Sequence, residues 1–221
     1  METGEILKHV DHTALKAFCT WTDIQKLCEE AIACGMASVC VPPCYIQRIH
    51  DTYGEKLNIC TVIGFPLGYS STASKVQEAK DAVADGASEI DMVINLGMVK
   101  DKCWDMLLDE IVRIKAACGG KLLKVIIECC FLTDEEKIKM CEIVTASGAD
   151  YIKTSTGFGG GGATREDVAL FAKHIGPNVK IKAAGGVSGM EDLEMFLELG
   201  CDRIGTSRAV GLCKGELTEG Y

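Results

Sequence analysis

Short apolar runs alternate along the chain with longer segments in which hydrophobic residues return every three or four positions. The runs cover residues 9–13, 38–42, 59–65, 90–96, 122–128, 151–155, 179–184 and 203–206. Their near-continuous apolar character predicts strands covered on both faces. Within residues 21–34, Ile24, Leu27, Cys28, Ala31 and Ile32 follow the helical spacing i, i+3, i+4, i+7, i+8, and Gly35 stands where a helix can end. Thr133 and Glu136 have the spacing of a capping box ahead of Ile138, Cys141 and Val144, with Gly148 after them. Thr164 and Asp167 open a similar segment that stops at Gly176-Pro177. Residues 72–84, 100–117 and 189–199 also read as helices. Eight strand–helix units in 221 residues predict an α/β protein, a (β/α)8 TIM barrel, as a single domain over residues 1–221. An open doubly wound sheet is the alternative. In a barrel the active site lies at the C-terminal ends of the strands.

Three consecutive strands carry a lysine inside the apolar run: Lys124, Lys153 and Lys182. Lysine is rarely buried unless paired or functional. If all three face inward they converge, and like-charge repulsion with desolvation lowers their pKa values. A lysine beside another cation can become the neutral amine of Schiff-base chemistry. The bland reading of each is a lysine satisfied by a carboxylate. Asp91, on the preceding strand, offers that partner and could also relay protons. Asp11 on the first strand is a second inward carboxylate, while His12 should point away from the lumen. Lys180 shares the parity of Lys182 but lies one pleat lower and reads as structural. The segment Gly157-Phe-Gly-Gly-Gly-Gly162 contains the letters of a dinucleotide fingerprint. That fingerprint needs an acidic residue about 20 positions on, and none stands between Val168 and Met190. A flexible loop over an anionic substrate fits better. Gly185 and Gly186 after the seventh strand, and Gly205, Ser207 and Arg208 after the eighth, stand where barrels commonly hold phosphate.

Composition narrows the picture. Hydrophobic residues make up 48% and charged residues 25% of the chain, which excludes intrinsic disorder. The net charge of −9 is interspersed with no basic run, so nucleic acid is not an expected partner. No apolar run reaches the ~18 residues of a membrane helix, and residues 1–8 carry no apolar core of a signal peptide. The 13 cysteines and four histidines fall at no zinc-ligand spacing. Reduced, mostly buried thiols in a cytoplasmic protein are expected, with redox or metal chemistry as the rival. Cys40, near the end of the second strand, reads as a packed core thiol or as a site that an unsaturated aldehyde could alkylate.

The motifs Asp11-His-Thr13, Val62-Ile-Gly-Phe-Pro-Leu-Gly68, Glu89-Ile-Asp-Met-Val-Ile-Asn95, Leu123-Lys-Val-Ile-Ile-Glu128, Tyr151-Ile-Lys-Thr-Ser-Thr-Gly157, Lys182-Ala-Ala-Gly-Gly-Val187 and Gly205-Thr-Ser207 run in order over most of the chain. Together they resemble the deoxyribose-phosphate aldolase family. The resemblance implies a class I, Schiff-base aldolase that reversibly cleaves 2-deoxy-D-ribose 5-phosphate to D-glyceraldehyde 3-phosphate and acetaldehyde, in deoxyribose catabolism. It implies no metal and no organic cofactor. Lys153 would form the Schiff base, Lys182 would lower its pKa, Asp91 would be the acid–base partner and Lys124 would support the network. Asp11, Thr154, Gly185, Gly186, Gly205 and Ser207 would contact substrate or phosphate. Two positions depart from some relatives: Phe158 stands where a lysine can bind phosphate, and Arg208 where a small residue is usual, so phosphate contact is expected to move to Arg208. The C-terminal Tyr221 would reach over the mouth or be a frayed end. Family members are often homodimers, although no interface signature is readable. Rival readings are a Schiff-base barrel aldolase acting on another sugar phosphate and a non-catalytic sugar-phosphate-binding barrel.

Overall fold

The fold is seen in a computed structural model that describes residues 1–187 and 189–213. Eight parallel strands close into a barrel in sequence order. They are β1 (Val10–Thr13), β2 (Ser38–Val41), β3 (Ile59–Ile63), β4 (Glu89–Val93), β5 (Leu122–Ile126), β6 (Tyr151–Lys153), β7 (Lys180–Ala184) and β8 (Arg203–Thr206). The helices are α1 (Thr3–Leu7), α2 (Trp21–Cys34), α3 (Ile46–Tyr53), α4 (Thr72–Ala84), α5 (Leu96–Lys100), α6 (Trp104–Ala117), α7 (Asp134–Ser147), α8 (Arg165–His174), α9 (Met190–Glu198) and α10 (Ala209–Cys213). The predicted TIM barrel is therefore the observed fold, and the open sheet is excluded. Outward-facing Ile and Val residues of the strands pack on the apolar stripes of the helices, in one continuous core.

Local chemistry explains the element ends. Thr20 and Asp23 form a capping box on α2, and Thr133 and Glu136 form one on α7. Gly35 and Gly148 end these helices in the left-handed conformation. The helix expected over residues 100–117 starts only at Trp104, and a separate short helix, α5, ends at Lys100. Lys102, at φ 57°, separates the two, and Asn95 caps α5. Several predicted strands run past the observed ends because the first residues beyond the ladder stay buried: Thr154 and Ser155 follow β6 with no exposure. Those buried strand ends form the floor of the barrel mouth.

Candidate active site

Alternation sends every second residue of a strand into the lumen, and the register then sets neighbours side by side. Asp91 pairs in register with Lys124, Lys153 with Lys182, and Cys40 with Cys60. The three lysines converge on one carboxylate. Asp91 Oδ2 accepts from Lys153 Nζ at 2.6 Å and from Lys182 Nζ at 2.8 Å, and Oδ1 accepts from Lys124 Nζ at 3.0 Å. Asp11 Oδ2 lies 2.5 Å from Lys182 Nζ, and its Oδ1 accepts from Arg203 at 2.7 Å. Glu89 accepts from Lys124 at 2.5 Å and from Arg203 at 3.0 Å. Cys60 Sγ donates to Asp91 Oδ1 at 3.2 Å.

The three lysines are not equivalent. Lys124 and Lys182 are fully buried, whereas Lys153, 3% exposed, borders a cavity of about 290 Å³ at the C-terminal ends of the strands. It does so while still holding Asp91. The cavity wall also contains Gly157, the glycines from 159 to 162, Gly185, Gly186, Gly205, Ser207 and Arg208. Lys153 and Arg208 are the only charged residues in that wall among the described residues. Gly162 must be glycine because a Cβ there would sit 2.4 Å from the carbonyl carbon of Gly185. Gly185 and Gly186 turn at φ 75° and 73°, a conformation open to glycine.

Electrostatics corrects one expectation. Mutual repulsion was expected to lower the lysine pKa values. Burial does push Lys182 and Lys124 down, but Asp11 and Asp91 raise Lys182, and Asp91, Cys60, Asp11 and Glu89 raise Lys124, above the ordinary lysine range. Burial pushes Asp91 up, yet Lys124, Lys153 and Lys182 hold it well below the usual carboxylate range. Asp11 is held low against burial by Lys182, Lys124 and Arg203. Lys182 is thus a lasting cation beside Lys153.

Two candidate contacts move. Thr154 is fully buried and uses its hydroxyl on Ala184, accepting from the amide at 3.1 Å and donating to the carbonyl, so it stitches β6 to β7 outside the cavity wall. Asp11 is also absent from that wall, since its oxygens serve Lys182 and Arg203 beneath it. Tyr221 lies outside the described residues. His12 points outward to Glu30 at 2.9 Å, and Lys180 pairs with Asp202 at 3.0 Å. Cys40 is fully buried, and its hydrogen bond with Cys60 lowers its thiol pKa against burial. Sequence reasoning gave no role to Glu89, Arg203 or Cys60. A signal existed: Glu89 stands two residues before Asp91, and Arg203 two before Gly205, each with inward parity. Cys40, Cys60 and Asp91 could by distance hold a cation, as could Asp11, Cys60 and Glu89. Such an ion would face the ammonium groups of Lys124 and Lys182 at close range, so the donor set fits a metal poorly.

Comparison with known proteins agrees with this geometry. Residues 6–215 match the model of the DeoC/LacD family aldolases. A deoxyribose-phosphate aldolase from Clostridium botulinum (strain Alaska E43) is 67% identical over 221 residues, all of both chains. One from Clostridioides difficile is 57% identical over 98% of this chain and 99% of its own. The solved deoxyribose phosphate aldolase of Aeropyrum pernix, described as tetrameric, superposes with a TM-score of 0.90 at 29% identity, over 97% of this chain and 92% of its own.

Proposed function

The chain belongs to the DeoC/LacD family of aldolases, and on that premise we propose that it cleaves 2-deoxy-D-ribose 5-phosphate reversibly through a Schiff base on Lys153. The observation that carries the assignment is that Lys153, alone among the three inward lysines, borders the cavity. The Lys153 amine thus stands at the cavity edge of a cluster that sets Lys124, Lys182 and Arg203 against Asp11, Glu89 and Asp91. Lys182, held cationic by Asp11 and Asp91, is the charged neighbour of the proposed nucleophile.

In the cleavage direction, the Lys153 amine adds to the aldehyde carbon of the open sugar. The carbinolamine loses water to an iminium. The hydroxyl on the third carbon gives up its proton, and the bond between the second and third carbons breaks. Its electron pair flows into the iminium and leaves an enamine, while glyceraldehyde 3-phosphate departs. Protonation of the enamine and hydrolysis release acetaldehyde and Lys153. The iminium is the electron sink, and no cofactor is needed. Asp91, within hydrogen-bond reach of Lys153 and Lys182, is placed to hold and move the protons. The phosphate would rest on the amides of Gly185, Gly186, Gly205 and Ser207 with Arg208 supplying charge. The enzyme would act as one domain, in deoxyribose catabolism in the reducing cytoplasm, where its free thiols persist.

Borohydride added with acetaldehyde should trap a covalent adduct on Lys153, read by peptide mass spectrometry. Lys153→Ala should lose both the adduct and the release of glyceraldehyde 3-phosphate in a coupled assay. A Lys153→Ala enzyme with full cleavage activity would overturn the mechanism.

A further inference from the structure

Glu128 is used by none of these steps, yet its placement is unusual. It follows β5 in the left-handed region at φ 51°, where a residue with a Cβ is strained. It is 2% exposed, and among the described residues no cation pairs with it. The reason for the backbone geometry lies in the ladder to β6. Ile127 N–H donates to Lys153 O, but Cys129 N–H donates to Thr154 O, one residue on where a regular parallel ladder advances two. Glu128 is therefore the extra residue of a bulge, and bulges re-aim side chains near active sites.

The side chain is aimed at Thr156. Glu128 Oε1 accepts the Thr156 amide at 3.1 Å, and Oε2 accepts the Thr156 hydroxyl in a short bond. Thr156 Oγ in turn accepts from the Phe158 amide at 2.9 Å. The glycine wall starts there. Its other end is tied where Ala163 N–H donates to Ala184 O and Gly185 O. Between these ties the wall is all glycine except Phe158, whose ring meets Phe65 edge-on at 5.3 Å, so the polar ties at its two ends carry much of its placement.

We propose that Glu128 is a positioning residue that sets the glycine wall, through Thr156, for the phosphate of the substrate. The proposal rests on the reading that this cavity takes a phosphorylated aldehyde. A wall that drifts no longer packs Gly162 against Gly185 and Gly186, whose amides would hold the phosphate, while Lys153 and Asp91, held by their own ion pairs, keep their geometry.

The test compares 2-deoxyribose 5-phosphate with unphosphorylated 2-deoxyribose. Glu128→Gln keeps the shape and removes the charge and one acceptor. Its KM for the phosphorylated sugar should rise about tenfold with kcat nearly unchanged, and its kcat/KM for the unphosphorylated sugar should change less than about twofold. Thr156→Val should reproduce the pattern, and the double variant should add little to either single one. Parallel losses on both sugars, an unchanged KM for the phosphorylated sugar, or additive effects would overturn the proposal. If Glu128→Gln does not fold, Thr156→Val alone decides. If the wild-type enzyme cleaves neither sugar, the aldolase reading fails by itself. Binding of inorganic phosphate, followed by thermal shift, then decides the role of Glu128: weaker in Glu128→Gln supports it and equal binding rejects it.

Discussion

One carboxylate, Asp91, holds three ammonium groups, and its neighbour Asp11 keeps one of them charged. The arrangement makes stability and chemistry depend on the same buried ions. Breaking such a pair from one side typically costs about 3–5 kcal/mol, because the remaining charge is left without a partner. Asp11→Asn should therefore destabilise the protein strongly at neutral pH, since Lys182 and Arg203 both lose an ionic acceptor. The effect has a definite pH dependence. Asp11 is held below its unfolded value, so its contribution is complete above the unfolded pKa of about 4 and is lost as pH falls toward the folded value. The gap between wild type and Asp11→Asn in urea unfolding should be widest above about pH 5, begin to narrow below about pH 4 and be measurably smaller at pH 3 than at pH 7. A gap that is constant across this range would mean that the Asp11 charge does not carry the effect. On the alkaline side, Lys182 is held above its unfolded value, so its contribution persists up to about pH 10 and fades only as pH rises further.

At the scale of elements, a second buried pair ties the helix layer to β4. Lys75 on α4 and Glu110 on α6 are both fully buried and meet at 2.8 Å. Lys75 also donates to Val93 O, at the end of the strand that carries Asp91. Burial pulls the Lys75 ammonium below its ordinary value in spite of Glu110, so desolvation outweighs the attraction. Lys75→Met alone should destabilise by about 3 kcal/mol or more, because buried Glu110 loses its cationic partner. Lys75→Met with Glu110→Leu should return close to wild-type stability, measured by chemical denaturation. Failure of the double change to recover stability would show that the Val93 contact matters more than the charges. Nothing in the sequence marked this pair: Lys75 lies in a helix pattern where a charged residue reads as solvent-facing. The strand lysines were legible because a charge interrupting an apolar run has few bland explanations. Helix caps at Thr133 and Thr164 were legible because they depend on residues three apart. The split of α5 from α6 at Lys102 and the bulge at Glu128 were not, since each needs a backbone conformation that no neighbouring residue announces.

For the molecule as a whole, the net charge of −9 and the anion-binding reading are reconciled by where charge lies: the cavity wall is cationic although the chain is acidic. The thiols are distributed in a comparable way. Twelve free cysteines are described, of which Cys28, Cys40, Cys60, Cys118, Cys129, Cys141 and Cys201 are buried and only Cys44 and Cys130 are exposed. Burial pushes Cys28, Cys141 and Cys201 up to about 12 and Cys118 to about 11, which leaves almost no thiolate at neutral pH. These residues fill space as small apolar groups in strands and helix faces, and a barrel of this size closes its core without cross-links. Cys40 differs in direction, its thiol lowered by Cys60, but it shares the same burial. A thiol-specific reagent applied to the native enzyme at pH 7 should therefore label Cys44 and Cys130 first, read by peptide mass spectrometry. The seven buried cysteines should react only after denaturant is added. Rapid native labelling of Cys40 or Cys60 would show that the barrel opens beside the lysine cluster on the timescale of the reagent, and the rigid ion network inferred for the active site would have to be abandoned.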